Sequence, residues 1–220
     1  MDRYRIISGD AFQEAEKLDD NSVDLVFTSP DPPVSPGDIF NLTDIFEVIA
    51  PKVKDTGSVW VQLGDSHDEN GCLRLNPTAF ATVMCEGYSW ILRSDIIWHR
   101  PDNSIQEDYT RFKRDCEHLF FFTKSSTGYY FDRTMVDVST SLRSFPYLPP
   151  LVSDVFSSGF PEGLIELAIH ACTKPGDVVL DPFCDSATTG VVALKMGRKF
   201  IGIEIDKDKI PLINKRLRSL

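Results

Sequence analysis

The sequence predicts an α/β fold: one mostly parallel sheet of seven strands, covered by helices on both faces. Two observations carry that expectation. Seven short apolar, β-rich runs punctuate the chain: Tyr4–Gly9, Asp24–Thr28, Ser58–Leu63, Ser94–His99, His118–Thr123, Asp177–Leu180 and Lys199–Ile205. Between several of them lie segments whose apolar residues recur at helical spacing. Strands alternating with helices imply crossover connections and a parallel sheet. The 220 residues, 42% hydrophobic and 25% charged, suffice for one well-cored domain but not two full-sized ones. No repeat or linker splits the chain, so 1–220 reads as a single domain.

The helical segments follow in order. Ala11–Leu18 puts Ala11, Ala15 and Leu18 on one side, and 39–53 carries Phe40, Ile45, Phe46, Ile49 and Val53. The segment 77–87 carries Phe80, Val83 and Met84, with Gly87 suited to a helix stop. Leu164–Cys172 is followed by the breaker Lys174-Pro175-Gly176. Thr188–Met196 and Lys207–Leu217 complete the set. The aromatic runs at 94–99 and 118–123 have no clear helix between them, which predicts an antiparallel hairpin. Arg100–Glu117 and Ser125–Gly159 show neither period, and long unpatterned stretches in a compact domain are functional loops or disordered.

Composition excludes several classes. The longest apolar run, Leu119-Phe120-Phe121-Phe122, is far short of the roughly 20 residues of a membrane helix. The N-terminus leads into a short strand rather than the apolar core of a secretion signal. Five cysteines, at 72, 85, 116, 172 and 184, contain no CxxC pair, which suits reduced thiols in a cytosolic protein. The four histidines, at 67, 99, 118 and 170, show no metal-ligand spacing, so no metal is expected. Lys plus Arg total 23 against 33 Asp plus Glu, a net charge of −10. That balance argues against holding nucleic acid by bulk electrostatics, but leaves room for a local basic patch.

Two segments carry chemistry. Val178 to Gly190 reads as a strand, a small-residue turn and a helix start, the geometry that binds nucleotide-like cofactors at a strand's carboxyl end. About 20 residues on, a second strand ends in the acid Glu204, a spacing that suits ribose hydroxyls; acids end many strands for blander reasons. The other segment, Val23 to Val34, is a strand running into a proline-stiffened tip. Prolines there fix φ and remove donors, leaving carbonyls as outward acceptors, as they would in an ordinary turn.

Together these segments resemble the circularly permuted, β-type, S-adenosylmethionine-dependent amino-methyltransferases of DNA. Asp181-Pro182-Phe183-Cys184-Asp185-Ser186-Ala187-Thr188-Thr189 resembles the family's DPFxGSGTT cofactor loop. Thr28-Ser29-Pro30-Asp31-Pro32-Pro33 resembles its (S/D)PP(Y/F) catalytic tip. The likeness continues through Trp98-His99-Arg100-Pro101, Thr123-Lys124-Ser125, Tyr129-Tyr130-Phe131-Asp132 and Phe160-Pro161-Glu162-Gly163-Leu164, and so spans nearly the whole chain.

The resemblance implies a Rossmann-like methyltransferase fold in permuted order, with S-adenosylmethionine as cofactor and DNA as partner. It also implies a cytoplasmic protein of prokaryotic or phage type and a link to restriction-modification. Asp181, Phe183, Cys184, Asp185, Ser186, Thr188 and Thr189 would line the methionine part of the cofactor. Glu204 would take the ribose hydroxyls, Asp10 the adenine, and Phe160 would close the pocket. Ser29, Pro30, Asp31, Pro32 and Pro33 would hold the target amino group. An exocyclic base nitrogen is a poor nucleophile, and acceptors on its hydrogens localise the lone pair toward the methyl group. Reaching it in a duplex requires flipping the base out.

The chain departs from the pattern in two places. An extra residue blurs the register of the tip. Read as Asp31-Pro32-Pro33-Val34, valine replaces the aromatic; read from Ser29-Pro30, Asp31 replaces a proline. Phe40, Tyr109 and Tyr129 are then candidates to stack on the base. In the cofactor loop, Asp185 and Ala187 stand where the family has glycines, and Asp185 is expected to repel the cofactor's carboxylate. Thr110-Arg111-Phe112-Lys113-Arg114 offers cations and an aromatic for DNA, with Arg111, Lys113 and Arg114 on phosphates. A solvated loop balanced by Asp108, Asp115 and Glu117 is the alternative. Lys195, Arg198, Lys199, Lys207, Lys209, Lys215, Arg216 and Arg218 read as solvated helix faces. No separate recognition domain fits, so specificity falls to the loops, a second copy of the chain as a homodimer, or a short target. The favoured activity is cytosine-N4 methylation of DNA. Adenine-N6 methylation, a catalytically weakened DNA-binding relative, and an RNA or small-molecule methyltransferase are the alternatives.

Overall fold

Why the central strands are so apolar is clear from where they lie. In the computed structural model, which describes residues 2–31, 38–99, 116–132 and 162–220, seven strands form one sheet in the order β1-β7-β6-β2-β3-β5-β4. They are β1 (Tyr4–Ser8), β2 (Val23–Thr28), β3 (Val53–Leu63), β4 (Ile91–His99), β5 (Cys116–Thr123), β6 (Val178–Asp181) and β7 (Lys199–Glu204). β1, β7, β6, β2 and β3 run parallel, and β5 turns back against both β3 and β4. The antiparallel hairpin expected from the two aromatic runs is therefore present, at one edge of the sheet. Every residue of β2 is buried, as a central strand covered on both faces must be.

Alternation along the strands splits the core into two layers. Leu25, Phe27, Trp60, Leu119, Phe121, Val179 and Phe200 face α4 (Glu162–Cys172), α5 (Thr188–Lys195) and α6 (Ile210–Arg218). Val26, Val59, Val61, Phe120, Phe122, Leu180 and Ile201 face α1 (Ala11–Glu16), α2 (Asp38–Ile49) and α3 (Asn76–Thr82). On the first face Trp60 stacks on Phe121 at 4.7 Å, and Phe121 stacks on Phe131 at 5.8 Å. On the second, Phe80 sits between Phe46, Phe120 and Phe122.

Several boundaries differ from the expected ones. β3 begins at Val53, where a helix was expected to end, because a bulge between Val23 and Leu25 lets the strand start early. Gly57 makes that possible: a Cβ there would lie 2.8 Å from the Asp24 carbonyl oxygen. The helix expected to run to Gly87 is α3 followed by a π-helical turn, Val83–Gly87. Cys116 and Glu117, assigned to a loop, open β5 instead, since their antiparallel partners His99 and Trp98 extend the ladder. The start of the second unpatterned stretch is pinned to the body: Tyr130 N donates to Thr56 O at 2.8 Å and Asp132 N to Ala171 O at 2.7 Å. Arg198 is no solvated cation. It is buried and donates to Thr173 and to the Met196 carbonyl, closing the ends of α4 and α5. Among the described residues, no helix is long and apolar enough to cross a membrane.

Candidate active site

The order of strands reverses between β6 and β2. From β6 the chain crosses by α5 to β7 on one side; from β2 it crosses by α2 to β3 on the other. Connections diverging from two neighbouring strands leave a crevice at their carboxyl ends, where open α/β sheets bind ligands. Both chemistry-bearing segments end there. Thr28 Oγ1, on the last residue of β2, donates to Asp181 Oδ1, on the last residue of β6, at 2.7 Å. That bond sets the end of β2, and with it Ser29, beside the small-residue turn.

Asp181 is 4% exposed and also accepts from the Phe183 amide at 3.2 Å and from Thr189. Burial outweighs those donors and pushes its carboxyl up to about 6. A desolvated acid beside an open crevice is placed to receive a cation. The rest of the turn keeps the conformation glycine would supply. Asp185 has φ 42° and Ala187 φ 60°, both left-handed. Ala187 supplies no side-chain hydrogen bond to α5, which leaves first-turn amides of that helix available to an anion.

The same edge carries the other expected residues. Glu204 ends β7 with its side chain buried, its Oε1 accepting from Asp206 N at 2.9 Å. Gly9 N donates to Glu204 O at 3.0 Å, and this places Asp10 at the neighbouring strand end. The Asp10 carboxylate caps α1 by accepting from Gln13 N at 3.1 Å. Ser29 and Asp31 are exposed past the end of β2, with Pro30 buried between them. The Ser29 hydroxyl donates to Gln62 Oε1, at the end of β3. Phe183 is half-buried against the α1–α3 layer.

Not every expected residue faces the crevice. Cys184 is 3% exposed and its thiol lies against Gly202, where a Cβ would come within 2.6 Å of it. It shapes the turn from beneath, and burial raises its thiol well above the ordinary range. Tyr129, a candidate for stacking on a base, packs edge-on against Phe121 at 6.0 Å and lies under Arg93 at 5.1 Å. Phe40, in contrast, is 56% exposed in the first turn of α2. Pro32, Pro33, Tyr109, Arg111, Lys113, Arg114 and Phe160 lie outside the described residues.

A model for DNA methylases of the N6 and N4 type matches residues 39–215. The chain belongs to the DNA methylase family.

Related proteins agree with that membership, and solved structures share the fold. The chain is 28% identical to the type II methyltransferase M.XycI of Xanthomonas campestris pv. cyanopsidis, across 97% of this chain and 87% of that one. It is 29% identical to the DNA adenine methyltransferase YhdJ of Escherichia coli (strain K12), across 96% and 82%. Its fold is that of the cytosine-N4-specific PvuII DNA methyltransferase, with a TM-score of 0.79 at 23% identity, over 97% of this chain and 86% of that one. It is also that of the M1.HpyAVI–SAM complex, with a TM-score of 0.71 at 24% identity, over 97% and 98%.

The turn after β6 is held from outside by Lys209 and α6, a contact the sequence did not predict. Lys209 Nζ lies 2.5 Å from Asp185 Oδ1, and Arg216 Nη1 donates to Ser186 O at 2.7 Å. Two cations read as solvated therefore clasp the turn. The Asp185 carboxylate pairs with Lys209, a partner that offsets its charge and bears on the expected repulsion of the cofactor's carboxylate. With that pair in place, Asp185→Gly is expected to leave cofactor affinity and its salt dependence unchanged. The lost surface pair, about 0–1 kcal/mol, is offset by relief of the positive φ. Calorimetric titration at low and high ionic strength checks this; tightening confined to low salt would restore the repulsion argument.

Proposed function

We propose that this DNA methylase transfers a methyl group from S-adenosylmethionine to the exocyclic N4 amino group of cytosine at a specific DNA site. The observation that carries the reading is the Thr28–Asp181 hydrogen bond, which joins the base-holding tip to the cofactor turn across the switch point. The residues fit the cofactor's charges. Buried Asp181 takes the ammonium, the first-turn amides of α5 take the carboxylate, Glu204 takes the ribose hydroxyls and Asp10 borders the adenine. Phe160 closes the pocket, and Arg111, Lys113 and Arg114 hold phosphates. When bound, the cofactor supplies an electrophilic methyl group on a sulfonium.

The chain's own part is alignment. Ser29 Oγ accepts one hydrogen of the flipped base's amino group and a carbonyl of the tip accepts the other, which localises the nitrogen lone pair. Asp31, exposed two residues on, takes the proton that the amino group sheds after transfer. The Thr28-Ser29-Pro30 start of the tip resembles that of the family's cytosine-N4 members, and this likeness favours cytosine over adenine.

Digesting DNA from an expressing strain to nucleosides and identifying the modified base by mass spectrometry tests the reading. N4-methylcytosine is expected. N6-methyladenine would move the register to Asp31-Pro32-Pro33, and the absence of any methylated base would sink the proposal. A further expectation concerns the ribose acid. Glu204→Ala should weaken cofactor binding by about 1.5–3 kcal/mol, the usual loss for a charge-assisted hydrogen bond. An unchanged isotherm would return Glu204 to a purely structural strand end.

A further inference from the structure

Register carries a polar row across the sheet. On the face that meets α4, Phe27, Trp60 and Phe121 are neighbours on β2, β3 and β5. Two residues further toward the crevice, the pleat brings Ser29, Gln62 and Leu119 to the same face, and Glu117 follows two residues beyond Leu119. The row is hydrogen-bonded throughout: Ser29 Oγ donates to Gln62 Oε1, and Gln62 Nε2 donates to Glu117 Oε2. Gln62 is 5% exposed and Glu117 half-buried, so the chain of bonds runs from the exposed Ser29 inward, under the strand ends.

We propose that Gln62 and Glu117 are positioning residues that fix Ser29 as a hydrogen-bond acceptor for the target amino group. A free serine hydroxyl rotates and presents its hydrogen or its lone pairs to a ligand with equal ease. Here the hydrogen is committed to Gln62, so the lone pairs of Oγ face the base. Gln62 is held the right way round because its amide hydrogens have a carboxylate to meet. An unpaired amide in the reverse orientation would offer Ser29 a donor and turn the hydroxyl over. Glu117 therefore sets the amide's orientation and polarises it, and a charge-terminated chain of bonds is stronger than a neutral one. An amide cannot carry a proton along this row, so the row orients and the proton leaves by Asp31.

The inference rests on the proposed amino-methyl transfer, and the experiment separates the two. Methyl transfer to DNA is measured under single turnover for wild type, Gln62→Glu, Glu117→Gln and the double variant, with cofactor affinity by calorimetry and thermal unfolding for each. Gln62→Glu sets two carboxylates against each other and is expected to lower the transfer rate by about tenfold to a hundredfold. Glu117→Gln added to it restores the row, with a carboxylate accepting from Ser29 and an amide donating from position 117, and the rate should recover. Cofactor affinity should stay constant throughout, a pattern that a merely structural role would not give.

Equal rates for wild type and Gln62→Glu, no recovery in the double variant, or parallel loss of cofactor binding would each overturn the inference while leaving the amino-methyl reading standing. A wild type that methylates no DNA would overturn the proposed function, and the positioning role with it.

Discussion

Ser29→Ala is expected to lower the rate of methyl transfer by about 10²- to 10³-fold, the usual loss when one preorganised electrostatic contact to the reacting centre is removed. Cofactor affinity should not change. Ser29 lies past the end of β2, and the contact between that strand and Asp181, on the proposed cofactor side, is made by Thr28, one residue earlier. The small side chain is exposed, so its truncation leaves the core intact. Single-turnover transfer with labelled cofactor, paired with calorimetric titration, checks both halves. Asp31→Ala is expected to abolish product formation with equally little effect on cofactor binding. The pair also decides the register of the tip. A fully active Ser29→Ala beside a dead Asp31→Ala would make Asp31 the acceptor at the base and favour adenine-N6. Joint loss of transfer and cofactor binding would mark the tip as a structural turn.

Asp181→Asn should move stability and binding in opposite directions. Burial pushes the Asp181 carboxyl up to about 6 in the fold, from about 3.9 for an ordinary aspartate. Its folded-state pKa is raised, so the associated stability is fully present below the unfolded pKa and is lost as pH rises through about 6. Above that window the ionised, buried group costs the fold about 3 kcal/mol. Asparagine keeps an acceptor for Thr28 and Phe183 without the charge. The cofactor-free variant should therefore unfold at a higher temperature than wild type at pH 8, and the gain should vanish near pH 4. Cofactor binding should weaken at least about tenfold, because the ammonium loses a desolvated counter-ion. In wild type, binding should weaken as pH falls below about 6, since the carboxyl must then shed a proton to meet the cation. The asparagine variant should lose that pH dependence. A variant that is both less stable and equally tight would show Asp181 to be a structural acid.

These two residues also show where sequence reading reached and where it stopped. Short apolar, β-rich runs made the strands legible, and the aromatic runs at 94–99 and 118–123, with no helix between them, predicted an antiparallel pair. Local chemistry made Asp181, Glu204 and the Ser29–Asp31 tip legible, because each sits where a strand gives way to a turn.

Contacts between residues far apart in the chain were not legible. The ladder with β4 draws Cys116 and Glu117 into β5, and a bulge opposite Gly57 starts β3 at Val53. Lys209 and Arg216 repeat along one helix like any solvated cations, and only the packing of α6 turns them onto Asp185 and Ser186. Gln62 and Glu117 are 55 positions apart and belong to no motif. By itself the sequence determined which strands exist and where each gives way to a polar turn, because apolar runs and turn residues are set by neighbours along the chain. Only the tertiary structure decided that Thr28 meets Asp181 and that Ser29, Gln62 and Glu117 form one bonded row, because strand order and register bring those side chains together across the sheet.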